Sequence, residues 1–135
     1  MAEYLFVYGS LRERAAHPMH RHLREHAQPA GEASISGKLY DLGPYPAALP
    51  DDSGRWRVRG ELHRLEAPAE LLEILDQYEG CRPEDPQPQA YRRVLQAVEL
   101  AGGKRLQAWV YLYNRAVAAE RQIESGDYLD RMRQI

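Results

Sequence analysis

A chain of 135 residues with a formal net charge of −2 has room for one domain burying about two-thirds of its unfolded surface, and offers no global field favouring nucleic acid or an anionic membrane. Its single cysteine, Cys81, excludes an intramolecular disulfide and suits a reducing, cytoplasmic setting. The first residues carry no basic region and their apolar run is cut at Gly9, so neither a signal peptide nor a membrane span is expected.

Residues 4–8 (Tyr4-Leu5-Phe6-Val7-Tyr8) are rich in aromatic and β-branched side chains and predict a buried strand, broken at once by Gly9-Ser10. A strand stopping there leaves backbone N–H groups at the carboxyl edge of a sheet, where they suit a carboxylate or phosphate. Residues 12–26 are charged and His-rich, with Leu11, Met19 and Leu23 as sparse apolar points, and predict a loop with a short surface helix. A second strand is expected over 35–42, ended by Gly43-Pro44. A Pro-limited, extended edge segment follows over 45–50, then a turn cluster at 51–54.

Residues 55–65 alternate with a period of two. Trp56, Val58, Gly60 and Leu62 share one face while Arg55, Arg57, Arg59 and Glu61 share the other, the pattern of a half-buried antiparallel strand. A helix is predicted over 68–78, with Pro68 in its first turn, Leu71, Leu72, Leu75 and Tyr78 along one stripe, and Gly80 as its left-handed C-terminal residue. Residues 81–89 hold Pro83, Pro86 and Pro88 and predict a loop. Strands over 91–100 and 105–113 flank Ala101-Gly102-Gly103-Lys104, a hairpin signal, and a short helix is expected after Ser125-Gly126-Asp127, capped by Asp127. Strands outnumber helices and most pairings are antiparallel, so the class is α+β with a sheet curled into a barrel.

Glu79 stands at the negative end of the predicted helix, where the dipole and partial burial behind Tyr78 both disfavour its anion and raise its pKa. A carboxyl group so tuned can take and return a proton near neutral pH. Alone, it reads first as a solvated helix-end residue. Beside the Gly9-Ser10 turn it gains weight. The ordered pieces Val7-Tyr8-Gly9-Ser10-Leu11, Gly37-Lys38-Leu39-Tyr40, Tyr45-Pro46-Ala47, Val58-Arg59-Gly60-Glu61-Leu62, Leu75-Asp76-Gln77-Tyr78-Glu79-Gly80, Tyr91-Arg92-Arg93 and Ala108-Trp109-Val110-Tyr111 together resemble the γ-glutamylcyclotransferase-like family. The resemblance runs from Tyr4 to about Tyr128, and its specific pieces are the YGSL and LDxYEG motifs.

That resemblance implies one domain over residues 1–135, folded as a small mixed, mostly antiparallel β-barrel flanked by helices. It implies an intramolecular reaction in which the free α-amine of a γ-glutamyl group attacks its own γ-carbonyl, giving 5-oxoproline and a released amine or amino acid. By position Glu79 matches the catalytic glutamate, and Tyr8, Gly9, Ser10 and Leu11 match the substrate-binding loop whose amides hold the glutamyl carboxylate. With nucleophile and electrophile in one molecule the chemistry asks for no triad, no metal and no cofactor. The implied partner is a small γ-glutamyl molecule rather than nucleic acid or membrane. Tyr91, Tyr113 and Tyr128 are candidate pocket residues, although buried tyrosines are more commonly core with a satisfied hydroxyl. The leaving group and the oligomeric state are not specified by any motif.

Other readings are weaker. His22-Leu23-Arg24-Glu25-His26 spells the inverted zinc-peptidase pattern, but in a segment already holding His17 and His20 a solvated His-rich surface explains it better. Ser10 lacks a G-x-S-x-G elbow and an identifiable base, and Cys81 follows a helix C-terminus that disfavours its thiolate. The arginine row 55, 57 and 59, with Arg92 and Arg93 elsewhere, would suit RNA, but regular alternation beside a hydrophobic face is what any one-sided strand shows, and the net charge is slightly negative. A non-catalytic module binding a small acidic metabolite is the nearest rival, and loss of the carboxylate at position 79 would have marked it.

Overall fold

The structure, a computed structural model, describes residues 3–9, 20–42, 46–82, 84–85 and 89–128. Its elements are β1 (Glu3–Val7), α1 (His20–His26), β2 (Ala27–Asp41), β3 (Pro46–Pro50), β4 (Arg57–Leu65), α2 (Pro68–Glu79), β5 (Tyr91–Leu100), β6 (Arg105–Tyr113), a 3₁₀ turn (Ala119–Arg121) and β7 (Gln122–Ile123). The strands follow the order β3-β2-β4-β1-β6-β5, and a further pairing of β2 with β5 closes β2, β4, β1, β6 and β5 into a five-stranded barrel. Among the described residues only β1 and β6 run parallel, meeting at Leu5 and Trp109. Every other pairing is antiparallel, so the barrel is mixed and mostly antiparallel, as the resemblance implies.

β1 explains why its sequence is apolar without alternation: both of its faces are covered. Phe6 and Tyr8 enter the barrel interior with Ile35, Leu39, Val58, Leu62, Val98, Val110 and Leu112. Leu5 and Val7 turn the other way, onto Leu23 of α1, Leu71, Leu72 and Leu75 of α2, and Tyr91 and Tyr111. Each fully buried leucine of α2 contributes about 1.5–3 kcal/mol of transfer free energy, which holds that helix across the barrel.

α2 begins at Pro68, whose missing N–H sits where the helix has no partner for it. It ends in a Schellman motif. Gly80 adopts φ 70° and ψ 35°, its N–H donates to the Gln77 carbonyl at 3.3 Å, and the Cys81 N–H donates to the Asp76 carbonyl at 3.0 Å. This fixes Glu79 as the last helical residue. Tyr78 departs from the expected stripe: it is 43% exposed, because the final turn runs past the leucine core and over a cavity.

β2 is longer than the strand expected over 35–42. Its first half, Gln28-Pro29-Ala30-Gly31-Glu32, is exposed, polar and interrupted by Pro and Gly, so hydrophobicity does not announce it. Backbone pairing with β4 holds it, with a register shift between Pro29 and Gly31. β3 takes the edge position expected for an extended, Pro-limited segment. The hairpin β5–β6 has the expected limits. The helix expected within 12–26 is α1, but Leu23 anchors it in the core, so one side of it is no surface. The closing helix expected after residues 125–127 lies outside the described residues. Before it, the Gly126 carbonyl accepts the Arg59 N–H at 2.7 Å, docking the turn that follows β7 onto β4. Among the described residues no helix is long and apolar enough to cross a membrane.

Candidate active site

A cavity of about 340 Å³ opens where β1 ends, β3 begins, α2 ends and β5 begins, with Tyr111 near the end of β6 on its inner wall. It is lined by Phe6, Val7, Tyr8, Gly9, Pro46, Tyr78, Glu79, Ala90, Tyr91 and Tyr111. The lining is mostly aromatic and apolar, and Glu79 supplies its one carboxyl among the described residues.

Removal from water pushes the Glu79 carboxyl up to about 7, and no cation or hydrogen bond among the described residues acts against that. Its position in the last turn of α2 also sets it at the negative end of the helix dipole. Tyr8 lies in the barrel wall with its hydroxyl donated to the Tyr111 carbonyl. Burial and the nearby Glu79 charge hold that phenol protonated, well above its ordinary range. Gly9 meets Pro46 closely: a Cβ at Gly9 would lie 2.5 Å from Pro46 Cγ. Any side chain there would strike the opposite wall first. Pro46 is tied in turn to Tyr91, whose hydroxyl donates to the Pro46 carbonyl at 2.6 Å.

Glu79, Tyr8, Gly9 and Tyr91 thus come together around one cavity. Ser10, Leu11 and Tyr45 lie outside the described residues. Tyr113 and Tyr128 are not among the lining residues. Tyr113 stands behind Tyr91, edge to face at 5.3 Å between ring centroids, and Tyr128 packs against the barrel interior. Cys81 follows Gly80, and burial with the neighbouring Asp76 and Glu79 charges pushes its thiol up to about 12, leaving it a weak nucleophile. His22 and His26 lie on α1, and no three His, Cys, Asp or Glu residues group as a metal site among the described residues. The arginines do not share one face. Arg57 donates to Ser34 Oγ at 2.9 Å and lies 3.8 Å from Glu99, while Arg93 is drawn to Asp76.

Sequence reasoning assigned no role to Tyr111, Asp76 or Arg93. Arg93 Nε and Nη2 donate to the two Asp76 carboxylate oxygens at 2.8 and 3.1 Å, and the Tyr111 hydroxyl donates to Asp76 Oδ1 at 2.6 Å. The hairpin register sets Arg93 opposite Tyr111, but counting outward from the expected 101–104 turn would set Arg93 opposite Leu112, because the turn closes one residue earlier, between Leu100 and Lys104. Asp76 belongs to the same trio only through the docking of α2, which no local spacing encodes.

The fold and cavity define a class, small mixed β-barrels with a ligand-sized hollow beside a helix end. The family model described as "Gamma-glutamyl cyclotransferase, AIG2-like" matches residues 5–130, and the chain belongs to that family. It is 38% identical over 128 residues to the γ-glutamylcyclotransferase family protein YtfP of Escherichia coli K12, covering 94% of this chain and 96% of that protein. Among solved structures, YkqA from Bacillus subtilis is similar with a TM-score of 0.69 and 26% identity over 94% of this chain; the chain spans 39% of YkqA. A mouse AIG2-like protein shares the fold with a TM-score of 0.65 at 24% identity, covering 89% of this chain and 82% of that one.

Proposed function

We propose that the protein cyclises the γ-glutamyl group of a small molecule to 5-oxoproline, releasing an amine or amino acid, with Glu79 moving the proton. The observation that carries this reading is the Glu79 carboxyl in the wall of the cavity, tuned by burial to about 7. In its ionised form Glu79 takes a proton from the substrate's α-ammonium. The freed nitrogen attacks the γ-carbonyl carbon, forming the ring C–N bond. The amide C–N bond breaks as Glu79 returns the proton to the leaving nitrogen. The ring nitrogen still carries two hydrogens at that point, and its second proton passes through Glu79 to the released amine, which leaves as its ammonium ion. Charge and atoms then balance without any external reactant, and the carboxylate is regenerated.

The barrier to such a reaction is largely one of geometry, and folding the substrate into a near-attack conformer can supply about 7 kcal/mol or more of it. The walls made by Tyr8, Tyr91, Tyr111 and Pro46 favour a compact, folded glutamyl chain over an extended one. Amides after β1, at Gly9 and onward through Ser10 and Leu11, are the proposed anchor for the glutamyl carboxylate. A general base near pH 7 is matched to the medium it works in.

The test is 5-oxoproline release from a panel of γ-glutamyl amino acids, γ-glutamyl-amines and glutathione, by wild type and by Glu79→Gln. The expected result is release by wild type and a loss of roughly a hundredfold or more in the variant, with binding retained. Equal release by both would remove Glu79 from the mechanism. Binding of panel members without turnover by wild type would favour a non-catalytic module.

A further inference from the structure

Asp76 lies one helical turn before Glu79, and its carboxylate is the point where α2 is fastened to the barrel. Oδ1 accepts from Arg93 Nε at 2.8 Å and from the Tyr111 hydroxyl at 2.6 Å, and Oδ2 accepts from Arg93 Nη2 at 3.1 Å. The Arg93 and Asp76 side chains are 24% and 15% exposed, so the fork is held in a partly dry place where it outweighs a surface pair. The Arg93 guanidinium also lies 4.4 Å from the centre of the Trp109 ring, which restricts its rotamers further. Tyr111 carries the connection onward: its ring lines the cavity, and its carbonyl accepts the Tyr8 hydroxyl. Two hydrogen bonds therefore link the last turn of α2 to the end of β1, the two elements that supply Glu79 and Gly9.

We infer that Asp76 is a positioning residue which, through Arg93 and Tyr111, fixes the last turn of α2 and so holds the Glu79 carboxyl in the cavity wall. Its bearing on turnover rests on the proton-carrying role given to Glu79 above. The ionisable groups around that carboxyl are Tyr8 just after β1, Tyr78 and Cys81 beside it in the chain, Tyr91 of β5, Tyr111 of β6, and the Asp76–Arg93 pair one turn back. Tyr8, Cys81 and Tyr111 are held protonated, and the pair is internally neutralised. What keeps Glu79 dry is therefore its location, and the location depends on the clamp.

The experiment follows the Glu79 carboxyl by carbon-13 NMR across a pH titration of the full chain, with Glu79→Gln to assign the signal. Wild type is compared with Asp76→Asn and with Arg93→Lys, which keeps the cation and loses the fork. A wild-type midpoint near 7 is expected, falling by about one unit or more in both variants as the carboxyl swings toward water. On the best substrate of the panel, kcat is expected to fall by about ten- to a hundredfold while KM stays within about threefold. A purely structural clamp would lower the thermal midpoint of the variants and leave the Glu79 titration where it was; that result overturns the proposal. So does a wild-type midpoint in the ordinary carboxylate range. Should wild type turn over no panel member, the proposed reaction fails, and the positioning role stands or falls on the titration alone. Should Asp76→Asn not fold, Arg93→Lys decides by the same two readouts.

Discussion

Glu79 has a cost that can be measured apart from any activity. Its pKa in the folded chain is about 7, above the range of an exposed glutamate. The folded state thus binds the proton more tightly than the unfolded state does. Stability from this group is complete below about pH 4, falls as pH rises, and is gone above about pH 7. The difference amounts to about 3–4 kcal/mol at most. Glu79→Gln should accordingly raise the thermal midpoint by roughly 5–10 °C at pH 8 and by little near pH 4, which a pair of calorimetric scans would check. The sign is opposite for turnover. As the proposed base Glu79 must be ionised, so kcat/KM should climb with pH through about 7 and level off above it. Glu79 was legible in the sequence because its environment is local: a helix end, a preceding tyrosine and a following glycine. Gly9 was legible as a place where a side chain would interfere, but the obstacle it would meet, Pro46, comes from a different element. Gly9→Val should therefore raise KM at least tenfold by pushing β3 away from the cavity, and unchanged KM would place the ligand elsewhere.

Among the elements, those announced by their own chemistry matched the structure and those held by pairing did not. α2 carries a proline start, a leucine stripe and a glycine stop, and the β5–β6 hairpin carries two apolar runs around Gly102-Gly103. The first half of β2 carries none of these signals, because its exposed residues gain their order mainly from backbone pairing with β4. β7, two residues long, is likewise defined only by its register on Leu39 and Tyr40. The turn after it depends on a glycine. Gly126 has φ +72°, and a Cβ there would lie 1.8 Å from the Arg57 carbonyl oxygen. Gly126→Ala should cost about 2 kcal/mol or more, from strain at positive φ and loss of the hydrogen bond with Arg59. Urea denaturation gives the magnitude, and accelerated exchange of the Arg59 amide would show that the turn has left β4.

For the molecule as a whole, closure of the barrel makes stability unequal across it. β1 is paired on both edges and covered on both faces, while β3 has one free edge and β7 a two-residue ladder. Native-state hydrogen exchange should find the slowest amides in β1, β4 and β6, and much faster ones in β3 and in the 119–123 segment. Uniform protection would mean that the barrel and its appendages open together. The barrel class could be read from the number and spacing of strands. Its order could not, since the parallel meeting of Leu5 with Trp109 joins residues from opposite ends of the chain. The cavity is built at the boundary between these regimes. Its inner wall comes from the well-fastened strands β1 and β6, whereas Gly9, Pro46, Tyr78, Glu79 and Ala90 stand at or next to the ends of elements. Such a division lets ligand preference drift by changes at the joints, with the hydrogen-bonded frame left intact. Among those joint residues Glu79 is tied to the frame by way of Asp76, so a lineage that changed its substrate could keep the proposed proton carrier.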